Sequence, residues 1–215
     1  YNRWDASQQL MLASFEKIAF QKQEPNDELI NAFCQIMQDQ KLMPAFRAQL
    51  LSQPSISEII AHFFKNNLPI DPEMIYTAKK IFSQKLAESS NQFLEQLFHS
   101  LTRNVKYEPS AYQAGERSLK NILLGLLTRV DNGESAGKQF SGADNMTDEV
   151  AALSVLIQND LVSTEIDSFY ERWADDRLVI DKWFMLQTSL SQPSKSLEIT
   201  KTLTKHSDFN KKNPN

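Results

Sequence analysis

Residues 71–101 read DPEMIYTAKKIFSQKLAESSNQFLEQLFHSL, and this stretch decides the fold class. Asp71-Pro72-Glu73 supplies an N-cap side chain, a first-turn residue whose φ is already set, and an acid facing the positive end of a helix dipole. Behind that start Ile75, Ala78, Ile81, Phe82, Leu86, Phe93, Leu94, Leu97 and Leu101 recur at helical spacing. The spacing predicts a helix from Pro72 to about Arg103, with a bend or split expected only at the weak section Glu88-Ser89-Ser90-Asn91.

The same grammar extends outward in both directions. Ser55-Ile56-Ser57-Glu58, after Pro54, matches the capping box in which a hydroxyl and a carboxylate each satisfy an orphan backbone N–H, and Ser110 to Gln113 repeats it after Pro109. Helices are predicted over 5–23 (Leu10, Ala13, Ser14 and Ile18 on one stripe, widened by Phe15 and Phe20), 27–40 (Leu29, Phe33, Ile36, Met37), 44–52 and 56–65 (Ile59, Ile60, Phe63, Phe64). Residues 111–130 carry the widest apolar face, from Leu119 through Ile122, Leu123, Leu126 and Leu127 to Val130, and are expected to form the best-buried part. Shorter helices are predicted near 134–140, 147–158, 164–174, 179–190 and 194–204.

All five glycines (Gly115, Gly125, Gly133, Gly137, Gly142) fall in one stretch, whereas a β-rich fold needs turn glycines throughout. Residues 1–215 are therefore expected to be all-α. Helix starts about every 20 residues make a pair occupy ~40, the size of armadillo and HEAT units. The expected architecture is an armadillo/HEAT-like α-α superhelix of stacked helical hairpins in a single solenoid domain. That expectation rests on helix length, because the sequence shows no internal repeat.

The 215 residues are 41% apolar and 23% charged with a net charge of -4, the composition of a soluble globular domain. A mean hydropathy of -0.44, without an apolar run near the ~18 residues that a bilayer span requires, predicts no membrane span. A pI near 5.5 argues against a nucleic-acid partner bound through net charge. The lone Cys34, on the apolar stretch with Phe33, Ile36 and Met37, reads as a small core residue rather than a nucleophile. Tyr1-Asn2-Arg3-Trp4 has neither the basic start nor the apolar core of a signal peptide and no initiator methionine, so a piece of a longer polypeptide is expected.

The search for chemistry returns mostly absences. His62, His99 and His206 lie more than ten residues apart, so none forms the H-E-x-x-H pair that sets two imidazoles on one helix face around zinc. His62, between Ala61 and Phe63, reads as a core or boundary histidine. No phosphate-binding glycine loop and no G-x-S-x-G elbow is present. Asp131-Asn132-Gly133-Glu134 opens like a calcium loop but lacks its alternating ligands, and reads as a turn. Residues 142–181 hold ten acids against two bases, and residues 182–215 hold six lysines against two acids. A solvated acidic face beside a basic one is the plain reading, and an acidic wall steering cationic peptides is the functional one. Asp175 and Asp176 would point to different sides of a helix and make a poor acid–base pair.

Three strings carry a resemblance. Asn2-Arg3-Trp4-Asp5-Ala6 with Gln8 and Gln9, Asn145-Met146-Thr147-Asp148 with Ala151-Ala152-Leu153-Ser154, and Asp181-Lys182-Trp183-Phe184 with Leu186-Gln187 occur in the order found in the helical C-terminal domain of the bacterial aminopeptidase N family, zinc exopeptidases of the gluzincin group. Phe209 and Asn213-Pro214-Asn215 fit as well, so the resemblance spans the chain. It implies that Asn2, Arg3 and Trp4 mark an interdomain junction, and that the catalytic domain lies before Tyr1. That domain would carry H-E-x-x-H, a downstream zinc-binding glutamate and G-A-M-E-N, and the helices would continue beyond Asn215. The implied cofactor is zinc in the parent enzyme, with none bound by these residues and no catalytic or metal residue among them. The implied partners are the catalytic domain of the same polypeptide and peptide substrates in a chamber that the helices enclose, in the cytoplasm. The competing reading is a free-standing helical-repeat adaptor for a protein or peptide. An in-frame metallopeptidase motif upstream separates the two.

Overall fold

A computed structural model describes residues 2–102 and 107–212. Among these residues there are eleven helices and no strand, the all-α class expected. The chain divides into two compact units, 1–130 and 131–215, and each is described by itself.

The first unit holds α1 (Asn2–Gln21), α2 (Asp27–Gln38), α3 (Pro44–Leu51), α4 (Ile56–Lys65), α5 (Pro72–Leu101) and α6 (Ala111–Leu127). The helices start where local chemistry demands. Asn26 accepts the Leu29 N–H, the Ser55–Glu58 capping box is complete, and Asp71 accepts the N–H groups of Glu73 and Met74 at 2.8 and 3.3 Å. Ser110 accepts the Gln113 N–H, while the Gln113 side chain accepts the N–H of Glu108.

α5 is the axis of this unit, packing against α1, α2 and α6. It runs unbroken through the section expected to bend. Ser90 is fully buried there, because its hydroxyl donates to the carbonyls of Leu86 and Ala87 and so brings no unpaired polar group into the core. The expected end of α5 at Arg103 lies outside the described residues. Phe82 sits edge-on to both Phe15 (5.5 Å) and Phe33 (5.8 Å), an arrangement favoured by the ring quadrupoles.

The face that α1 turns inward differs from the expected stripe. Leu10 and Ala13 are exposed, and Met11, Leu12, Phe15, Ile18 and Ala19 are buried. Both sets obey a 3.6-residue period, and the second buries the larger side chains. In α4 the pair Ile59 and Phe63 is buried, whereas Phe64 is 74% exposed.

Cys34 is buried, and burial raises its thiol pKa, as suits a core residue. Arg47 of α3 is buried with Nη1 donating to the carbonyl of Met37 at 2.8 Å, which satisfies the end of α2, a helix lacking a basic residue in its last turn. α3 also lies close against α6. A Cβ on Gly115 would come within 3.0 Å of Ala45 Cβ and backbone N, so glycine permits that approach. Leu119, Leu123 and Leu124 of α6 are fully buried, and the helix ends at Leu127 in a turn, before the expected Val130.

The second unit holds α7 (Glu134–Gly142), α8 (Met146–Gln158), α9 (Glu165–Trp173), α10 (Arg177–Leu190) and α11 (Pro193–Leu203). It opens at the turn expected over 131–134: Gly133 has φ +83°, and the Asp131 carboxylate accepts the N–H groups of Gly133 and Ser135. α7 packs on α8, and α10 packs on α8, α9 and α11. α11 buries one residue, Leu203, and leaves Leu197 67% exposed. Polar tethers hold it instead. Gln192 donates to the carbonyl of Gln158, Lys195 pairs with Asp160, and the Ser196 hydroxyl reaches the carbonyl of Thr188.

Candidate functional site

The second and third of the strings that carry the family resemblance hold helices in place. Asn145 caps α8 by accepting the N–H of Asp148 at 3.0 Å, and its amide returns a bond to the Asp148 carboxylate. One residue on, Glu149 is buried and receives both the Arg172 guanidinium and the Trp173 indole N–H. Arg172 also lies over the Phe140 ring. Trp183 buries its ring and donates from Nε1 to the carbonyl of Ile166 at 2.9 Å, while Gln187 bonds back to the Trp183 carbonyl. Trp183 and Phe184 meet Tyr170, His206 and Phe209 in one aromatic cluster. The Tyr170 hydroxyl donates to Asp208, and that bond raises the phenol pKa. Asn213-Pro214-Asn215 lies outside the described residues.

None of the titratable groups singled out in the sequence assembles into a catalytic constellation. His62 pairs with Glu16 at 2.9 Å and touches Asn66, at the boundary position expected for it. His99 lies one turn from Glu95 on exposed helix surface, and His206 belongs to the aromatic cluster. Among the described residues no group of three His, Cys, Asp or Glu side chains is placed to hold a metal ion. Asp176 caps α10 by accepting the N–H groups of Leu178 and Val179. Its carboxylate thus serves the start of that helix. Apart from buried Asp148 and Glu149, most of the acids of 142–181 face solvent.

Asn2 and Arg3 are exposed, and Trp4 is half-buried in the first turn of α1, its carbonyl accepting the Ser7 hydroxyl at 2.7 Å. No described helix is long and apolar enough to cross a membrane.

Sequence reasoning missed a groove in the first unit, of about 360 Å³, between the end of α1 and the beginning of α5. Ile18, Ala19, Met74, Ala78 and Ile81 make it apolar, and Lys22, Gln23, Glu24, Asp71, Glu73 and Thr77 give it a polar rim. Asp71 and Glu73 were legible only as a helix start.

Eleven packed helices, stabilised by caps and aromatic anchors, with no strand among the described residues, define the class as all-helical. The chain belongs to the family described as "Domain of unknown function (DUF3458_C) ARM repeats", whose model matches residues 1–215; the armadillo-type expectation holds. It is 30% identical to aminopeptidase N of Escherichia coli K12 over 226 aligned residues, covering all of this chain and 25% of that protein. Aminopeptidase N of Caulobacter vibrioides is 29% identical over the same shares. Among solved structures, Legionella pneumophila aminopeptidase A in complex with aspartic acid matches 98% of this chain and 26% of its own, with a TM-score of 0.82 and 25% identity. The chain thus spans about a quarter of the length of these relatives, and it matches the C-terminal helical domain of aminopeptidase N.

Proposed function

We propose that residues 1–215 form one helical solenoid within a longer cytoplasmic aminopeptidase, where they wall the chamber that admits peptides to the catalytic domain of the same polypeptide. The observation that carries this reading is the match of the entire chain, at about 30% identity, to a quarter of aminopeptidase N. The side chains support it: His62, His99 and His206 serve local contacts, and the conspicuous carboxylates Glu149 and Asp176 hold helices together. A wall needs shape and rigidity, which capped helices and buried aromatic anchors provide. Zinc, which would activate water for attack on the first peptide bond, is held by residues outside these 215. Asn2, Arg3 and Trp4 form the junction with the preceding domain, and their accessibility in α1 suits that role.

The upstream coding sequence tests this directly. An in-frame H-E-x-x-H with a downstream glutamate is the expected finding. A start codon at this point, or an upstream domain without the motif, contradicts the reading and favours a free-standing adaptor.

A further inference from the structure

The groove between α1 and α5 has a charge pattern that selects an occupant. Its polar residues gather where the two helices end and begin, at 22–24 and 71–73, and its apolar residues lie further along each helix, at 18–19 on α1 and at 74, 78 and 81 on α5. One end is therefore charged and the rest is oily. The volume is at the lower limit of ligand pockets, which run from roughly 300 to 1,000 Å³. It suits a single side chain better than a large ligand.

The sign at the charged end follows from its parts. The end of α1 and the start of α5 carry partial charges of about -0.5 and +0.5, which cancel. The first N–H groups of α5 are already taken by Asp71 Oδ1, so they offer nothing to an anion. α1 has no basic residue in its last turn, and Lys22 after it has a left-handed backbone, with φ 54°. What remains is Glu24, Asp71 and Glu73 against Lys22, three exposed carboxylates and one ammonium lining the groove.

We propose that this groove binds the side chain of an arginine residue in a peptide, its aliphatic stem on Ile18, Ala78 and Ile81 and its guanidinium among the carboxylates of Glu24, Asp71 and Glu73. A guanidinium offers five donors in a planar fork and is weakly hydrated, so it serves several oxygens at lower desolvation cost than a lysine ammonium. A polyamine is a poor match, since its second ammonium would rest on the apolar floor unpaired. The inference stands on the groove alone and can fail while the aminopeptidase reading holds.

The test is a ¹⁵N–¹H NMR titration of the 215-residue chain with Nα-acetyl-arginine amide. Saturable shifts are expected at the amides of Ile18, Thr77, Ala78 and Ile81, with a weaker response to Nα-acetyl-norleucine amide, which keeps the stem and lacks the charge. Glu24→Gln and Glu73→Gln alter exposed side chains and should preserve the remaining spectrum while weakening arginine binding about two- to fivefold each, as expected for exposed charge pairs. Absence of shifts at those amides, an equal response to the norleucine compound, tighter binding of spermidine, or unchanged affinity in both variants would overturn the proposal.

Discussion

Both compact units bury apolar side chains, but the last helices of the second lean more on polar contacts than any helix of the first unit's core. In 1–130 the framework is apolar: α5 threads a core in which Phe15, Phe33 and Phe82 meet edge to face, and α6 contributes three fully buried leucines. In 131–215 the decisive contacts near the chain's far helices are polar or amphipathic. Glu149 holds Arg172 and Trp173, Trp183 holds the Ile166 carbonyl, Tyr170 holds Asp208, and α11 is tethered through Gln192 and Lys195. A helix that buries a wide face is fixed by area removed from water. One that buries a single leucine depends on directional bonds, which are worth less individually and are lost one at a time.

Substitutions in each unit separate the two kinds of support. The largest expected effect is at Phe82 in the first unit, which is 1% exposed and touches two other rings. Phe82→Ala should cost about 3–5 kcal/mol in chemical denaturation, and a loss under about 1 kcal/mol would mean that the core is not organised around α5. In the second unit Glu149→Gln removes the charge from a buried acceptor. The expected loss is roughly 1.5–3 kcal/mol, the scale of hydrogen bonds to charged groups, and Trp173 fluorescence should report the release of its indole N–H.

Glycine offers a paired test. Gly115 lies against Ala45, so Gly115→Ala should lower stability by about 1 kcal/mol despite the gain in helix propensity. Gly137 in α7 has open space where an added methyl would stand, with no neighbour within 4 Å, so Gly137→Ala should raise stability by about 0.5–1 kcal/mol. A Gly115→Ala chain that is as stable as the parent or more so in thermal unfolding would contradict the close α3–α6 approach.

The smallest effect is the acid sensitivity of the α4 cap. The Ser55 hydroxyl and N–H hold the Glu58 carboxyl below its ordinary pKa. A folded pKa below the unfolded one means that the cap's contribution is complete above the unfolded value and is lost as pH falls through the folded one. Glu58→Gln should flatten that part of the stability profile, leaving the neutral-pH value slightly reduced.

Helix starts were legible in the sequence because a cap is a local bond: Ser55, Asp71, Ser110 and Asn145 each serve an N–H two or three residues on. Which face turns inward was less legible. In α1 the stripe through Leu10 and Ala13 and the one through Met11, Leu12 and Phe15 share a period, and only packing against α3, α4 and α5 chooses between them. Ser90 looked like a weak point because its hydroxyl's bond to the preceding turn is invisible in a hydropathy pattern. The groove could not be read at all, since it needs Lys22 and Glu24 brought beside Asp71 and Glu73 by helix pairing across some fifty residues of chain. The family strings were readable as a resemblance, while the role of the second and third as a helix cap and an aromatic anchor emerged only from the contacts of Asn145 and Trp183.

In the proposed function these residues shape an aminopeptidase without performing its chemistry. This is tested most directly by assaying release of an aminoacyl chromophore by the purified 215-residue chain and by the polypeptide extended to its natural start, each with and without a metal chelator. Chelator-sensitive release is expected from the extended polypeptide and none from the 215 residues alone. Chelator-sensitive release by the 215-residue chain, above that of a mock preparation, or no release by the extended polypeptide, would contradict it.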